Sequence, residues 1–406
     1  MPDFRITRDR LESVNARRLS RSYPRPKSFG PTSAWPKIEV ERFLTWTALT
    51  ISALLVVGVV ALVIPYLMSD NDCQERHAKA PKNPMKAITY HEYGGPEVLQ
   101  LEERAKPAPK DDEVLVQVRA AALNPYDMHF LHGTPYLMRL IAGLRKPKFT
   151  GIGVDFSGVV ESVGKNVSGF KLGDAVLGGC RGALAEYLVI AEQGLVKKPN
   201  SISFEQASAV NVAAKTALQA LRDAGKLQPG QKALINGASG GVGTFAVQIA
   251  KQLGGEVTGV SSGRNTELVR SLGADHIIDY SQQDYTQGGT RYDLIIDNVG
   301  SHSLSANRRV LKPNGRYVMV GGPKGKWIKP MDRAIAAMMY SKFVHQEMGM
   351  MMARASKDDL ALLAELMEQG KMTPVIDKTY KLSEAAEAMR HLETGRARGK
   401  IVIQVE

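Results

Sequence analysis

The stretch Lys232-Ala-Leu-Ile-Asn-Gly-Ala-Ser-Gly-Gly-Val-Gly243 limits the fold more than any other part of the chain. A short apolar run enters a turn with Gly237, Gly240 and Gly243 at intervals of three, and Gly241 between them. Beyond the turn, Val242, Phe245, Ala246, Ile249, Ala250 and Leu253 recur at spacings of three and four, which is one face of a helix. A second strand-like run, Glu256-Val-Thr-Gly-Val260, follows. Strand, tight turn, helix and strand in that order build an open parallel sheet. The same order makes an anion site, because glycines let backbone N–H groups approach a pyrophosphate at a helix N-terminus. The turn is therefore expected to bind a dinucleotide through Gly237, Ser239, Gly240, Gly241, Val242 and Gly243.

The end of the second strand bears on which dinucleotide. A site for NAD places a carboxylate there for the ribose 2′-hydroxyl. This chain instead reads Ser261-Ser262-Gly263-Arg264-Asn265. Hydroxyl and guanidinium donors suit a 2′-phosphate, so Ser261, Ser262 and Arg264 point to NADPH. Two later strand-like runs end in Asn298-Val299-Gly300 and Gly321-Gly322, where the nicotinamide half should lie at the carboxyl ends of parallel strands.

The 406 residues suffice for two or three domains. A net charge of +12 fits an anionic cofactor or an anionic membrane surface. No nucleic-acid-binding signature accompanies it, so nucleic acid is not expected as a partner. Two cysteines, Cys73 and Cys180, cannot build a disulfide framework and form no C-x-x-C pair.

Residues 1–42 hold ten Lys/Arg against five Asp/Glu and read as a disordered basic tail. Residues 43–68 carry no charge over 26 positions and read as a transmembrane helix, with Trp46 and Tyr66 near its ends. Residues 69–84 read as a linker. Charge flanking would put the tail in the cytosol, but a cytosolic cofactor and a domain without a disulfide framework argue otherwise. The expectation is a single-pass membrane protein whose catalytic domain faces the cytosol.

From Met85 the texture changes to short runs of period two, Lys86 to Tyr90, Glu113 to Arg119, Asp155 to Val163 and Tyr187 to Ile190, the pattern of a small antiparallel β domain. From about Ser203 helix-like and strand-like runs alternate. The chain ends in a helix-like run, Ser383 to Glu393, and a strand, Lys400 to Val405, expected to rejoin the β domain.

Met85-Lys-Ala-Ile-Thr-Tyr-His-Glu-Tyr-Gly-Gly-Pro-Glu-Val-Leu99 resembles the start of quinone oxidoreductases and zeta-crystallin-like enzymes, a branch of the medium-chain dehydrogenases/reductases. Asn236 to Gly243, Leu272-Gly-Ala-Asp-His-Ile-Ile-Asp-Tyr280 and Ala397-Arg-Gly-Lys-Ile-Val402 look like the rest of that signature. The resemblance implies an α/β fold with a GroES-like substrate domain (85–207, completed by 374–406) and a Rossmann doubly wound parallel sheet (208–373). It implies cofactor contacts at Tyr280 and Lys400, and often a homodimer.

The zinc-dependent branch of that superfamily carries Cys in the first catalytic loop and His-Glu in a G-H-E-x-x-G motif. Here Asn124 and Val154 stand at the Cys and His positions, in Leu123-Asn-Pro-Tyr-Asp127 and Gly153-Val-Asp-Phe-Ser-Gly158. A zinc site needs about four N, S or O ligands, so no metal is expected. Without a Lewis acid, reduction of a hydrophobic quinone or α,β-unsaturated carbonyl becomes the expected chemistry. Candidate catalytic residues are Asn124, Tyr126, Asp127, His129 and Thr216. Asn124 is a donor to the substrate or the nicotinamide ribose, or a loop cap; His129 is a proton donor or a pocket-lining side chain. Thr216 resembles the threonine under the nicotinamide, and Lys215 beside it is a departure from a run that is usually apolar. The alternatives are a non-catalytic NADPH-binding scaffold, or an enzyme for other carbonyl or alcohol substrates.

Overall fold

The computed structural model describes residues 83–405 except residue 324. The basic tail, the apolar segment 43–68 and nearly all of the linker lie outside these residues.

The substrate-side sheet has seven strands. β1 (Pro84–Thr89) pairs with β2 (Gln100–Ala105) as a separate hairpin-like ribbon. The sheet itself contains β3 (Glu113–Leu123), β4 (Asp155–Val163), β5 (Ala175–Gly179), β6 (Tyr187–Ala191) and β7 (Leu195–Lys197). Alternate residues of β3 and β4, including Val114, Val116, Val118, Phe156 and Val160, enter a core completed by the helix Ala385–Glu393.

The second sheet is parallel and has six strands: β8 (Lys232–Asn236), β9 (Glu256–Ser261), β10 (His276–Asp279), β11 (Tyr292–Asp297), β12 (Leu311–Met319) and β13 (Glu347–Met350). Their order is β10-β9-β8-β11-β12-β13. Both faces are covered, as parallel sheets require. Ala233, Ile235, Leu294 and Ile296 point to a core beneath the helices Asn211–Gln219, Gly241–Gln252 and Lys357–Glu368. Leu234, Ile295, Tyr317 and Met319 point to a second core with Ala334 and Ala337 on the other face. The order reverses between β8 and β11, which places a crevice at their carboxyl ends.

After β13 the chain returns to the first sheet. β14 (Ile376–Lys381) and β15 (Lys400–Gln404) are parallel to each other, and β15 lies antiparallel to β3. This return brings Lys400 beside Asn124.

The placement as a single-pass membrane protein needs correction. Among the described residues no helix is long and apolar enough to cross a membrane. Helices such as Gly241–Gln252 and Lys357–Glu368 have 12 residues. At about 1.5 Å per residue that is roughly 18 Å, against a hydrocarbon core of about 30 Å. The span read at 43–68 falls outside the described residues.

Candidate active site and cofactor crevice

β8 delivers the chain to Gly237, whose φ of +78° only glycine adopts without strain. The helix Gly241–Gln252 starts directly after Gly240. The glycines here have separate reasons. A Cβ on Gly243 would lie 2.0 Å from the Gly237 carbonyl oxygen, so this glycine lets the helix close against the turn. A Cβ on Gly240 would meet nothing nearer than 3.5 Å, so that side of the turn is open. Open backbone at a helix N-terminus is the shape an anion needs.

The other wall of the crevice follows β11. Asp297, fully buried, accepts hydrogen bonds at Oδ1 from Asn236 Nδ2 (2.8 Å) and from the N–H groups of Val299 (3.0 Å) and Gly300 (2.8 Å). Tyr317 donates to Oδ2 at 2.6 Å. Asp297 therefore fixes the turn Asn298-Val299-Gly300, and Gly321 passes so close that a Cβ would lie 2.2 Å from the Asn298 carbonyl oxygen. Val299 itself is exposed. Gly322 packs against Pro330, where a Cβ would lie 2.6 Å from the proline ring.

At the adenosine end, Ser261 is buried and its hydroxyl donates to the Ser262 carbonyl at 3.3 Å. Arg264 is exposed and donates to the Arg396 carbonyl at 3.3 Å. Asn265 Nδ2 donates to Ser239 Oγ at 2.9 Å, tying this turn to the Gly-rich one. Tyr280 is largely exposed beside them. Two buried acceptors, Asn265 Oδ1 and Asn298 Oδ1, have no hydrogen-bond partner among the described residues. They stand toward opposite ends of the crevice and call for a ligand with donors at both ends. A nicotinamide dinucleotide, with ribose hydroxyls and a carboxamide, fits that demand.

The acceptor side is a buried charged network. β3 ends at Leu123, Asn124 caps the helix Pro125–His132, and Pro125 takes the first helical position. Asp127 Oδ2 accepts the Asn124 N–H at 2.7 Å. Asn124 donates through Nδ2 to Asp155 Oδ2 (3.0 Å) and to the Ala122 carbonyl (3.3 Å), and its Oδ1 accepts from Lys400 Nζ at 2.6 Å. Lys400 also pairs with Asp155 at 3.2 Å. Both N–H groups of the Asn124 amide are thus committed within the protein, which ties the start of this helix to β4 and β15. Burial pushes the Asp127 carboxyl up to about 7, with repulsion from Asp155 adding to the effect and backbone N–H donation opposing it.

The other candidates surround this network. Tyr126 accepts a hydrogen bond from Arg181 Nη2 at 2.8 Å and stacks on Phe130 with centroids 4.5 Å apart. Arg181 lies over the rings of Phe130 and Phe149, at 4.5 and 4.1 Å. His129 Nδ1 bonds to the Thr134 carbonyl at 2.9 Å, so Nδ1 carries the hydrogen in the neutral ring and Nε2 its lone pair. Thr216 is half-buried on the helix Asn211–Gln219, one turn after Val212, whose N–H donates to Asp155 Oδ1 at 3.0 Å. Lys215 is buried and donates to Asn211 Oδ1 at 2.9 Å. Sequence reasoning missed Asp155, Asn211, Asp297 and Arg396 as participants. Asp155 and Asp297 stood inside runs already marked, Arg396 fell one residue before the marked Ala397 to Val402, and Asn211 gave no local signal.

Residues 110–200 match the alcohol dehydrogenase GroES-like domain, and residues 272–403 match a family described as zinc-binding dehydrogenase. The chloroplast envelope quinone oxidoreductase homolog of Arabidopsis thaliana is 34% identical over 340 residues, 79% of this chain and 98% of that protein. An NADPH-dependent alkenal/one oxidoreductase, chloroplastic, of the same plant is 34% identical over 80% of this chain and 81% of its own. The structure of the quinone oxidoreductase from Coxiella burnetii superposes with a TM-score of 0.70 at 31% identity, over 80% of this chain and all of that one. The chain belongs to the medium-chain dehydrogenase/reductase family, in its quinone oxidoreductase branch. It is an oxidoreductase that uses a nicotinamide cofactor.

A zinc ion does not fit the residues present. Where a metal ligand would stand, Asn124 Oδ1 already takes the Lys400 ammonium, and the Asp155 carboxylate is paired with the same cation. Among the described residues no group of three or more His, Cys, Asp or Glu side chains could hold a metal ion.

Proposed function

We propose that this chain reduces quinones or α,β-unsaturated carbonyls with NADPH and without zinc. The observation that carries the reading is the Lys400–Asn124–Asp155 cluster, which puts an amide and an ammonium where a zinc enzyme would need ligands. The names of the relatives, one a quinone oxidoreductase homolog and one an NADPH-dependent alkenal/one oxidoreductase, support the substrate classes. For the cofactor, the Gly-rich turn, the Asp297-held turn and Asn265 Oδ1 and Asn298 Oδ1 are the groups that would hold it. Arg264, Ser261 and Ser262 would meet a 2′-phosphate.

NADPH, when bound, supplies the hydride. The acceptor also needs one proton, and its oxygen becomes negative before that proton arrives. Tyr126, polarised by Arg181, is the donor placed to meet such an oxygen. His129 gives up a proton only as the imidazolium, because its Nδ1–H is spent on Thr134. Asn124 and Asp127 hold the loop that carries both, and Thr216 is the hydroxyl on the cofactor side. The acceptor is hydrophobic and small, and the enzyme works as a homodimer.

The test is NADPH oxidation by the full chain against a panel of quinones and enones, with NADH in parallel and a chelator in matched samples. Turnover with one acceptor class, faster with NADPH and unchanged by chelator, is expected. NADPH binding without turnover on any acceptor would make the chain a cofactor-binding scaffold, and loss of rate with chelator would overturn the zinc-free reading.

A further inference from the structure

Both oxygens of the buried Asp155 carboxylate are gripped by asparagine amides, and each amide is turned by a lysine. Oδ2 accepts from Asn124 Nδ2 and Oδ1 from Asn211 Nδ2, each at 3.0 Å. Lys400 Nζ donates to Asn124 Oδ1 at 2.6 Å, and Lys215 Nζ donates to Asn211 Oδ1 at 2.9 Å. An ammonium can only donate. Each lysine therefore forces its asparagine to turn the carboxamide oxygen toward itself and the NH₂ toward Asp155. Without the lysine, the two ends of the amide would compete for that position.

Lys400 has a second reason to be there, since it neutralises Asp155 directly at 3.2 Å. Lys215 has none of that kind. It interrupts the apolar run Val212-Ala213-Ala214 and Ala217-Leu218, is 8% exposed, and has one hydrogen-bond acceptor among the described residues, Asn211. Burial lowers its pKa, and the charges of Asp155 and Asp359 only partly offset this. Removing the ammonium would leave the buried Asn211 carboxamide oxygen without its donor, which is itself destabilising. What the lysine fixes in particular is the orientation of the Asn211 amide toward Asp155.

We infer that Lys215 is a positioning residue for hydride transfer: by locking the Asn211 amide it fixes Asp155, and through Asp155 it fixes Asn124 at the head of the acceptor loop. The chain of contacts runs from the helix that carries Thr216 to the strand β4 and on to β3. The cofactor side and the acceptor side are thereby held in one register. The inference rests on the reductase reading above.

The experiment uses the full chain with its best quinone or enone acceptor. It compares Lys215→Met, Asn211→Asp and the double variant, reading kcat, acceptor KM, NADPH Kd and Tm separately. Lys215→Met is expected to lower kcat roughly tenfold, with Tm lowered by only a few degrees and NADPH Kd within about twofold. Asn211→Asp keeps a partner for Lys215 but presents no donor to Asp155, and should lower kcat by a similar factor. In the double variant the losses should not multiply, because both act through the same amide. If Lys215→Met does not fold, Asn211→Asp alone carries the test, since native kcat in that variant would overturn the inference. Native kcat in Lys215→Met, or multiplying losses, would overturn it too while leaving the reductase reading intact. Absence of acceptor-dependent turnover in the native protein would overturn that reading and this inference together.

Discussion

Lys400 and Asn124 lie 276 residues apart in the chain, yet Lys400 Nζ donates to Asn124 Oδ1 at 2.6 Å in the interior. The contact exists because β15 returns to pair with β3, with Ile401 opposite Leu123. The same lysine is the cation for Asp155, which has no solvent exposure. Removing one member of a buried pair costs about 3–5 kcal/mol, since the other charge is left uncompensated. Lys400→Met should therefore lower the urea midpoint strongly. Adding Asp155→Asn should recover more than half of that loss, because the remaining amides can bond to one another. Additive losses in the two variants would show that the pair is not coupled.

Asp127 should make stability fall as pH rises. Its folded carboxyl sits at about 7, pushed there first by burial and then by Asp155. The unfolded value is about 3.9. Between these two pH values the folded protein holds a proton that the unfolded chain has released, so unfolding becomes easier as pH increases. The contribution is present below about pH 4 and lost by about pH 7, and amounts to a few kcal/mol at most. Asp127→Asn can still accept the Asn124 N–H. The variant should be as stable as the native protein near pH 4 and more stable at pH 8, by chemical denaturation at each pH. An equal difference at both would mean that Asp127 titrates as an ordinary surface acid.

Much of the architecture was legible because the two periods differ. Alternation in β3 and β4 and the three-and-four spacing after Gly243 are local patterns that packing then reinforces. β13 was not legible: Glu-Met-Gly-Met has no β-branched residue, and it becomes a strand only because Met319 and Val318 of β12 offer it a parallel edge. The site shows the same division. The Gly-rich turn announces itself, since a tight turn at an anion needs glycine. Asp297 does not, because its value lies in binding the N–H groups of residues two and three positions onward while holding Asn236 from another strand. The position of Asn124 was readable from the metal ligand it replaces, but its engagement by Lys400 required knowing where the last strand goes. The apolar segment 43–68 drew its meaning from hydropathy alone and has no counterpart among the described residues.

Two glycines of one turn should respond to alanine in opposite ways. At Gly243 the added carbon would lie 2.0 Å from a backbone oxygen and 2.8 Å from two further backbone atoms of Ala238, so the helix must move away from the turn. Gly243→Ala should lower Tm by several degrees even without ligand. At Gly240 the added carbon has room in the chain itself. Gly240→Ala should therefore keep the native Tm without ligand and lose NADPH affinity, because the methyl group enters the space left for the anion. Titration calorimetry beside a thermal melt separates the two effects. Equal melting loss in both variants would show that Gly240 serves packing.

Cofactor choice should turn on the opposition of two charges at the adenosine end. Arg264 is exposed there and is bonded only to the Arg396 carbonyl among the contacts described, so its guanidinium can turn to a 2′-phosphate. A carboxylate also stands nearby: Asp279 lies so close to Gly263 that a Cβ there would be 2.5 Å from Asp279 Oδ2. Hydrogen bonds from the Ser281 backbone and hydroxyl hold the Asp279 carboxyl below the usual carboxylate range. It is therefore charged at neutral pH, where it would repel a 2′-phosphate or accept from a 2′-hydroxyl. A hydrogen bond to a charged group contributes about 1.5–3 kcal/mol. Arg264→Ala should then raise KM for NADPH roughly 10- to 100-fold with little change for NADH. Asp279→Asn should improve NADPH use and weaken NADH use slightly. If Arg264→Ala leaves the ratio of the two cofactors unchanged and Asp279→Asn abolishes NADH turnover, the carboxylate reads the ribose and the enzyme is NADH-dependent.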